Sequence, residues 1–387
     1  MLNERAAGII YLEFFGQPVM VINDANDYAN VAIAMLDKKS AIYSGRPELV
    51  VATIAGYSKS TLLEQYAKEK DDYFVHLTDV VLSNFAEAVT PGRFLVDTFP
   101  ILRYVPEWMP GVAWKRMVLT EWQKTMQENL DLPHEYVKQQ MQSGTAVACF
   151  TSAYLEKGNL SEDEEDILKW TAQSMMGGGA DTTVCASYVF FLAMVLHPEA
   201  QKKAQQELDT VIGPDRLPTL KDRSQLHYVD AVVKEVLRWH PVVPLGLLHR
   251  LMEDDIQDGY LIPKGSLIIP NVWKFLHDEE TYKNPSEFRP ERFLASEKNN
   301  NQRRIHETLL SVLVAGLLLA DSSLFLTCAM VLSVFNISKA VENGVPVTPK
   351  EEFINGAINH PKVFKCSVKP RSEQAVSIIR SVDFVGE

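Results

Sequence analysis

Three consecutive glycines, Gly177, Gly178 and Gly179, sit in the middle of a stretch that otherwise reads as one long helix, and Ala180, Asp181, Thr182 and Thr183 follow at once. Each interior glycine costs a helix about 1 kcal/mol relative to alanine, so the run gives up roughly 3 kcal/mol of propensity. Packing alone would ask for Ala or Leu there. Two readings are open: the backbone comes close to something flat, or it crosses another helix at short range. Thr182 can turn its hydroxyl back to the carbonyl of Gly178, which bends a helix and opens a groove.

The flanks predict the helix itself. Ser161 and Glu164 form a Ser-x-x-Glu capping box, with Glu162 and Asp163 matching the positive end of the dipole. Ile167, Leu168, Thr171 and Met175 continue at helical spacing as far as His197-Pro198. Pro198 opens a second helix that runs to Val211 and ends at Gly213-Pro214. A third helix is predicted over Ser224 to His240, with Val229, Val232, Val233, Val236 and Leu237 on its buried side and Pro241 as its stop. Near the N-terminus, Tyr11 to Phe15 and Val19 to Ile22 flank Gly16-Gln17-Pro18 as a hairpin, and an acid-capped helix is expected from about Asp24 to Asp37.

Downstream of the glycines come three further motifs. Glu235 and Arg238 lie one turn apart, His249-Arg250 follows the exit from that helix, and Pro290-Glu291-Arg292-Phe293 stands in a loop. Alone, a Glu-x-x-Arg pair is a solvated ion pair worth a few tenths of a kcal/mol. In this order after Gly178-Gly179-Ala180-Asp181-Thr182, the set resembles the cytochrome P450 family, the haem-thiolate monooxygenases, and is most similar to its fungal microsomal members. The resemblance covers Ile9 to about Ala67, Lys68 to Leu294 and Leu318 to Lys369.

That resemblance implies a mainly α (α+β) fold with a small β region, and a haem b cofactor used to insert one oxygen atom from dioxygen into an apolar substrate. It implies that Gly178 and Gly179 border the cofactor groove, that Asp181 and Thr182 relay protons to the oxygen being activated, and that His249 and Arg250 face the haem propionates. Glu235, Arg238 and Arg292 would then form a charge triad that fixes geometry more than it adds stability, because desolvation offsets much of the Coulomb gain. Partners implied are NADPH-cytochrome P450 reductase and a small apolar substrate, a secondary metabolite or an aromatic xenobiotic. Intact relatives are expected at the cytosolic face of the endoplasmic reticulum membrane; this chain begins after their anchor and is expected in the cytoplasm.

Two departures stand out. The family holds its iron by a cysteine thiolate within a Phe-x-x-Gly-x-Arg-x-Cys-x-Gly loop, and the stretch Asn299 to Gly316 has neither the cysteine nor the Phe-x-x-Gly. Counting back from the following helix puts Val314 at the ligand position; a second alignment would put His306 there. Val314 is preferred because it keeps that helix unbroken. The four cysteines, Cys149, Cys185, Cys328 and Cys366, lack Cys-x-x-Cys spacing and fit a reducing compartment. Secondly, Ser58 to Tyr66 enters a helix region from which the sequence jumps, near Ala67-Lys68, to one that belongs several helices later. A block is missing there, although the chain is expected to form one domain over residues 1–387.

Net charge −12 and a pI near 5.3 argue against nucleic acid as a partner. Leu309 to Phe335 is nearly all apolar and long enough to span a bilayer, with Asp321-Ser322-Ser323 as its polar break. It could stand in a membrane-inserted structural protein, but from Leu317 it matches a core helix of the family, and Leu309 to Ala315 reads as an out-of-register substitute for the haem loop. The other alternative is a catalytically inactive remnant that at most binds an apolar ligand or a partner.

Overall fold

The computed structural model describes residues 9–14, 17–22, 73–88, 93–147, 149–246, 249–257, 259–294, 317–354 and 356–381. The expected helix at 24–37, the segment Ser58 to Tyr66, the junction at 67–68 and the stretch 299–316 lie outside them. The chain divides into two compact units, one built mainly on Thr182–Glu387 and the other mainly on the residues before Thr182.

In the earlier unit, helix α1 (Tyr73–Ala88) and helix α2 (Gln123–Ser143) pack with the first part of helix α3 (Glu162–Leu196). Leu77, Val81, Leu130, Val137 and Leu168 are buried. Polar side chains tie the helices: His134 Nε2 and Lys138 Nζ lie 2.8 and 2.9 Å from Glu165 Oε1, and Lys169 Nζ lies 2.9 Å from Asp131 Oδ1. The α2 helix ends where Gly144 takes the left-handed conformation, φ 73°, a geometry glycine adopts without a Cβ clash.

The predicted start of α3 is present. Ser161 N donates to Glu164 Oε2 at 2.8 Å and Glu164 N donates to Ser161 Oγ at 3.3 Å. The helix then runs unbroken through the glycines. It is long and apolar enough to cross a membrane by length and composition, yet its second half is interior: Cys185, Val189, Phe190, Leu192, Ala193 and Met194 have no exposed surface.

In the later unit that half-helix shares a core with helix α4 (Pro198–Val211), helix α5 (His227–Trp239) and helix α6 (Leu317–Val334). The α5 helix starts three residues later than Ser224, because a capping box between Thr219 and Asp222 holds Leu220–Gln225 as a 3₁₀ turn. Its free N–H groups at Tyr228 and Val229 are taken by the Glu207 carboxylate of α4 at 2.8 to 2.9 Å. Within the apolar stretch Leu309 to Phe335, the described part is a core helix: Leu324, Phe325, Cys328, Ala329 and Leu332 are buried, and Phe335 already begins a strand.

Strands β1 (Ile9–Phe14) and β2 (Gln17–Ile22) join β3 (His249–Arg250) and β6 (Leu267–Pro270) in the order β1-β2-β6-β3. β2 runs parallel to β6, and β3 antiparallel to it. β4 (Asp255–Gln257) and β5 (Tyr260–Ile262) form a hairpin; β7 (Phe335–Glu342) lies between β8 (Val345–Val347) and β9 (Cys366–Pro370).

Candidate functional site

The residues singled out as a charge triad meet in the interior. Glu235, on the buried face of α5, accepts from Arg238 Nε at 2.8 Å and Nη2 at 2.9 Å, from Arg292 Nε at 3.1 Å, and from the Arg289 backbone N–H at 2.7 Å. The remaining guanidinium donors reach backbone carbonyls: Arg238 bonds Leu276 and Glu287, and Arg292 bonds Lys283, Asn284 and Glu287. Glu235 and Arg238 are 0% exposed and Arg292 3%. Burial pulls the Arg292 pKa down, against the pull of Glu235. Tyr282, fully buried, lies under the Arg238 cation at 5.4 Å. The network clamps α5 to the loop that carries Pro290–Phe293.

His249 and Arg250 stand on β3 opposite Ile268 and Leu267, His249 half-buried and Arg250 exposed. The Arg250 guanidinium lies across the left-handed Gly265, where a Cβ would come within 3.7 Å of its Nη2. Among the described residues no carboxylate pairs with Arg250.

On α3, Gly178 is exposed while Gly179, Asp181 and Thr182 are half-buried. The boundary between the two compact units falls between Asp181 and Thr182. Hydroxyls turn back onto the helix on both sides of the run, Thr171 onto Ile167 O at 2.7 Å and Ser187 onto Thr183 O at 2.8 Å. At Gly177 a Cβ would meet Leu82 Cδ2 of α1 at 3.6 Å, an ordinary contact, so the packing there does not require a glycine.

All four cysteines of the chain are described, and each is built into secondary structure or its cap. Cys149 caps the short helix Phe150–Leu155, its sulfur accepting from Ser152 N at 3.4 Å. The Cys185 thiol donates to Asn359 O at 3.4 Å and is 0% exposed. Cys328 is 0% exposed in α6, where burial holds its thiol protonated. Cys366 opens β9 opposite Lys339. Among the described residues no three His, Cys, Asp or Glu side chains group as a metal site. Position Val314 lies outside the described residues.

One network was not foreseen. Arg223 binds Asp230 Oδ1 through Nε at 2.8 Å, binds both oxygens of Asp321, and lies over the Phe325 ring at 4.8 Å. A lone Asp in the apolar stretch was the visible signal of a charged partner; the partner, 98 residues earlier, was not visible.

Comparison with known proteins agrees with this architecture. A sequence profile described as Cytochrome P450 matches residues 9–309. Cytochrome P450 monooxygenase claR of Ampulloclitocybe clavipes is 40% identical over 95% of this chain and 81% of its own length. Cytochrome P450 monooxygenase ppsD of Aspergillus oryzae is 41% identical over 98% of this chain and 85% of its own. Both alignments, at 439 and 456 residues, are longer than the 387-residue chain, so these relatives carry internal positions that it lacks. A zebra fish cytochrome P450 structure with progesterone superposes with a TM-score of 0.66 at 21% identity, over 96% of this chain and 98% of that one, and shows the fold. The chain is a member of the cytochrome P450 family, and by that resemblance a haem-dependent oxidoreductase of the monooxygenase type.

Proposed function

We propose that the chain carries the scaffold of a monooxygenase for small apolar molecules, secondary metabolites or aromatic xenobiotics, in a lineage that draws electrons from NADPH through cytochrome P450 reductase. The observation that carries this reading is the closed Glu235–Arg238–Arg292 network, which sets α5 and the Pro290–Phe293 turn in a fixed geometry together with a helix that offers Gly178, Gly179, Asp181 and Thr182 in sequence. Asp181 and Thr182 supply a carboxylate and a hydroxyl side by side, the pair needed to hold and pass a proton at an otherwise apolar surface. His249 and Arg250 supply donors for carboxylates.

The family implies a haem cofactor. Adjacent on β3, His249 and Arg250 would be the donors for its propionates. None of the four cysteines stands in a ligand setting, so the residues present do not fit a thiolate-held haem. That observation favours a second reading, in which the chain binds an apolar ligand and does not turn it over.

Tryptophan fluorescence of the purified chain should show saturable binding of an apolar aromatic ligand. Thr182→Phe, which fills space on the half-buried face of α3, should weaken that binding at least tenfold with little change in unfolding temperature. Equal binding by parent and variant would remove α3 from the ligand site. Oxygenated product formed with reductase and NADPH selects the first reading; binding without product selects the second.

A further inference from the structure

From the placement of the four cysteines we infer that this chain cannot coordinate haem iron through a cysteine thiolate, so that it departs from its family at the step the family is defined by. The inference rests on membership of the cytochrome P450 fold and concerns this chain's own thiols. They are the whole complement of the sequence. A thiolate ligand has to lie at a surface that the flat macrocycle can approach, with neighbours that stabilise negative charge on sulfur.

Three of the four fail that requirement outright, and Cys149 meets its electrostatic half only by serving as a helix cap. Cys328 is sealed on α6 among Phe325, Ala329 and Leu332, an apolar setting that favours the neutral thiol. Cys185 is equally sealed on α3 and spends its S–H on the Asn359 carbonyl. Cys366 belongs to the β7–β9 ladder, half-buried, and burial raises its pKa as well. Cys149 is half-buried and accepts a backbone N–H as a helix cap, and freeing its sulfur would uncap the short helix Phe150–Leu155. Bringing any of them to a macrocycle would require unfolding the helix, the strand or the cap that holds it. A haem held without a thiolate would lack the electron push by which the family favours cleavage of the oxygen–oxygen bond.

The test uses the full chain titrated with haemin. The dithionite-reduced, carbon monoxide-treated protein should lack the red-shifted Soret band of a thiolate–carbonyl haem. Whether haem is lost on gel filtration or is retained with the spectrum of a nitrogen or oxygen ligand, the inference stands, provided that the spectrum is the same in Cys149→Ser, Cys185→Ser, Cys328→Ser and Cys366→Ser. A thiolate band in the parent that one of these substitutions abolishes overturns it. Native alkylation gives a readout independent of variants and of haem: iodoacetamide should modify Cys185 and Cys328 on the order of 100-fold more slowly than in denaturant. Equal rates would show that these thiols are accessible and would equally overturn the inference. Loss of all apolar-ligand binding would sink the functional reading and leave the coordination result in place.

Discussion

Glu235 and His240 lie five residues apart, one on α5 and one just past its end, both inside the protein, and the fold treats them in opposite ways. The Glu235 carboxylate is enclosed by Arg238, Arg292 and the Arg289 N–H, and the guanidinium groups find carbonyls for donors it does not use. His240, 5% exposed, has no hydrogen-bond partner for either ring nitrogen among the described residues. It meets the edges of Trp273 and Phe353 instead. Burial, with a smaller contribution from His277, holds its pKa down to about 3. A charge survives in the interior when every donor and acceptor around it is matched. A polar ring without partners survives only neutral.

The sharpest way to break this contrast is to open the closed site. Glu235→Ala leaves two buried guanidinium groups facing each other, and should cost roughly 3 kcal/mol or more, with loss of soluble yield. Arg238→Ala strands the carboxylate and should cost a similar amount. Thermal unfolding decides: if both variants melt with the parent, the network is a bystander and the closed site is no different from a surface ion pair.

A smaller loss is expected at the half-buried clamp. Arg223→Ala removes the donors that hold Asp230 of α5 and Asp321 of α6, at a cost of about 2 kcal/mol. Asp321→Asn keeps the shape and should recover part of that loss. A double-mutant cycle between positions 223 and 321 that returns no coupling energy would show that this pair adds nothing to stability, and would confine the clamp to Asp230.

Local patterns in the sequence were legible where one segment carries its own instructions. Ser161 and Glu164 cap α3 as read, Pro198 opens α4, and Glu235 and Arg238 face each other because three residues on a helix return to nearly the same side. What could not be read is non-local. Glu207 caps α5 from another helix, Arg223 waits 98 residues before Asp321, and α5 starts at His227 because Asp222 commits the preceding turn. The role of Gly177 at the α1 crossing needed the position of Leu82.

The open site should announce itself in acid. The folded-state pKa of His240 lies below the ordinary value near 6.5, so between about pH 6.5 and 3 the unfolded chain binds a proton that the folded chain refuses. Stability from this source is therefore complete above pH 6.5 and falls as the pH is lowered. His240→Leu removes the refusal and keeps the volume, so at pH 5 the variant should lose on the order of 2 kcal/mol less than the parent loses on going down from pH 7. His277, held down to about 4 chiefly by burial, keeps part of the acid sensitivity in both proteins. Parallel pH–stability curves would mean that His240 finds a partner in solution and that the site is closed after all.

The smallest effect is expected where the fold has left room for a side chain that the sequence omits. At Gly177 a Cβ would sit 3.6 Å from Leu82 Cδ2, an ordinary van der Waals distance to the flexible end of a side chain, on a helix with unbroken geometry. Gly177→Ala should therefore stabilise the protein by up to about 1 kcal/mol, through helix propensity and a reduced entropy of the unfolded chain. Denaturant unfolding would show it as a raised midpoint at unchanged slope. If Ala at position 177 destabilises instead, the α1 crossing is tighter than an open contact, and Gly177 belongs with Glu235 among positions where nothing can be exchanged. If stability rises and apolar-ligand binding is untouched, neither the α1 crossing nor the ligand requires a glycine at position 177.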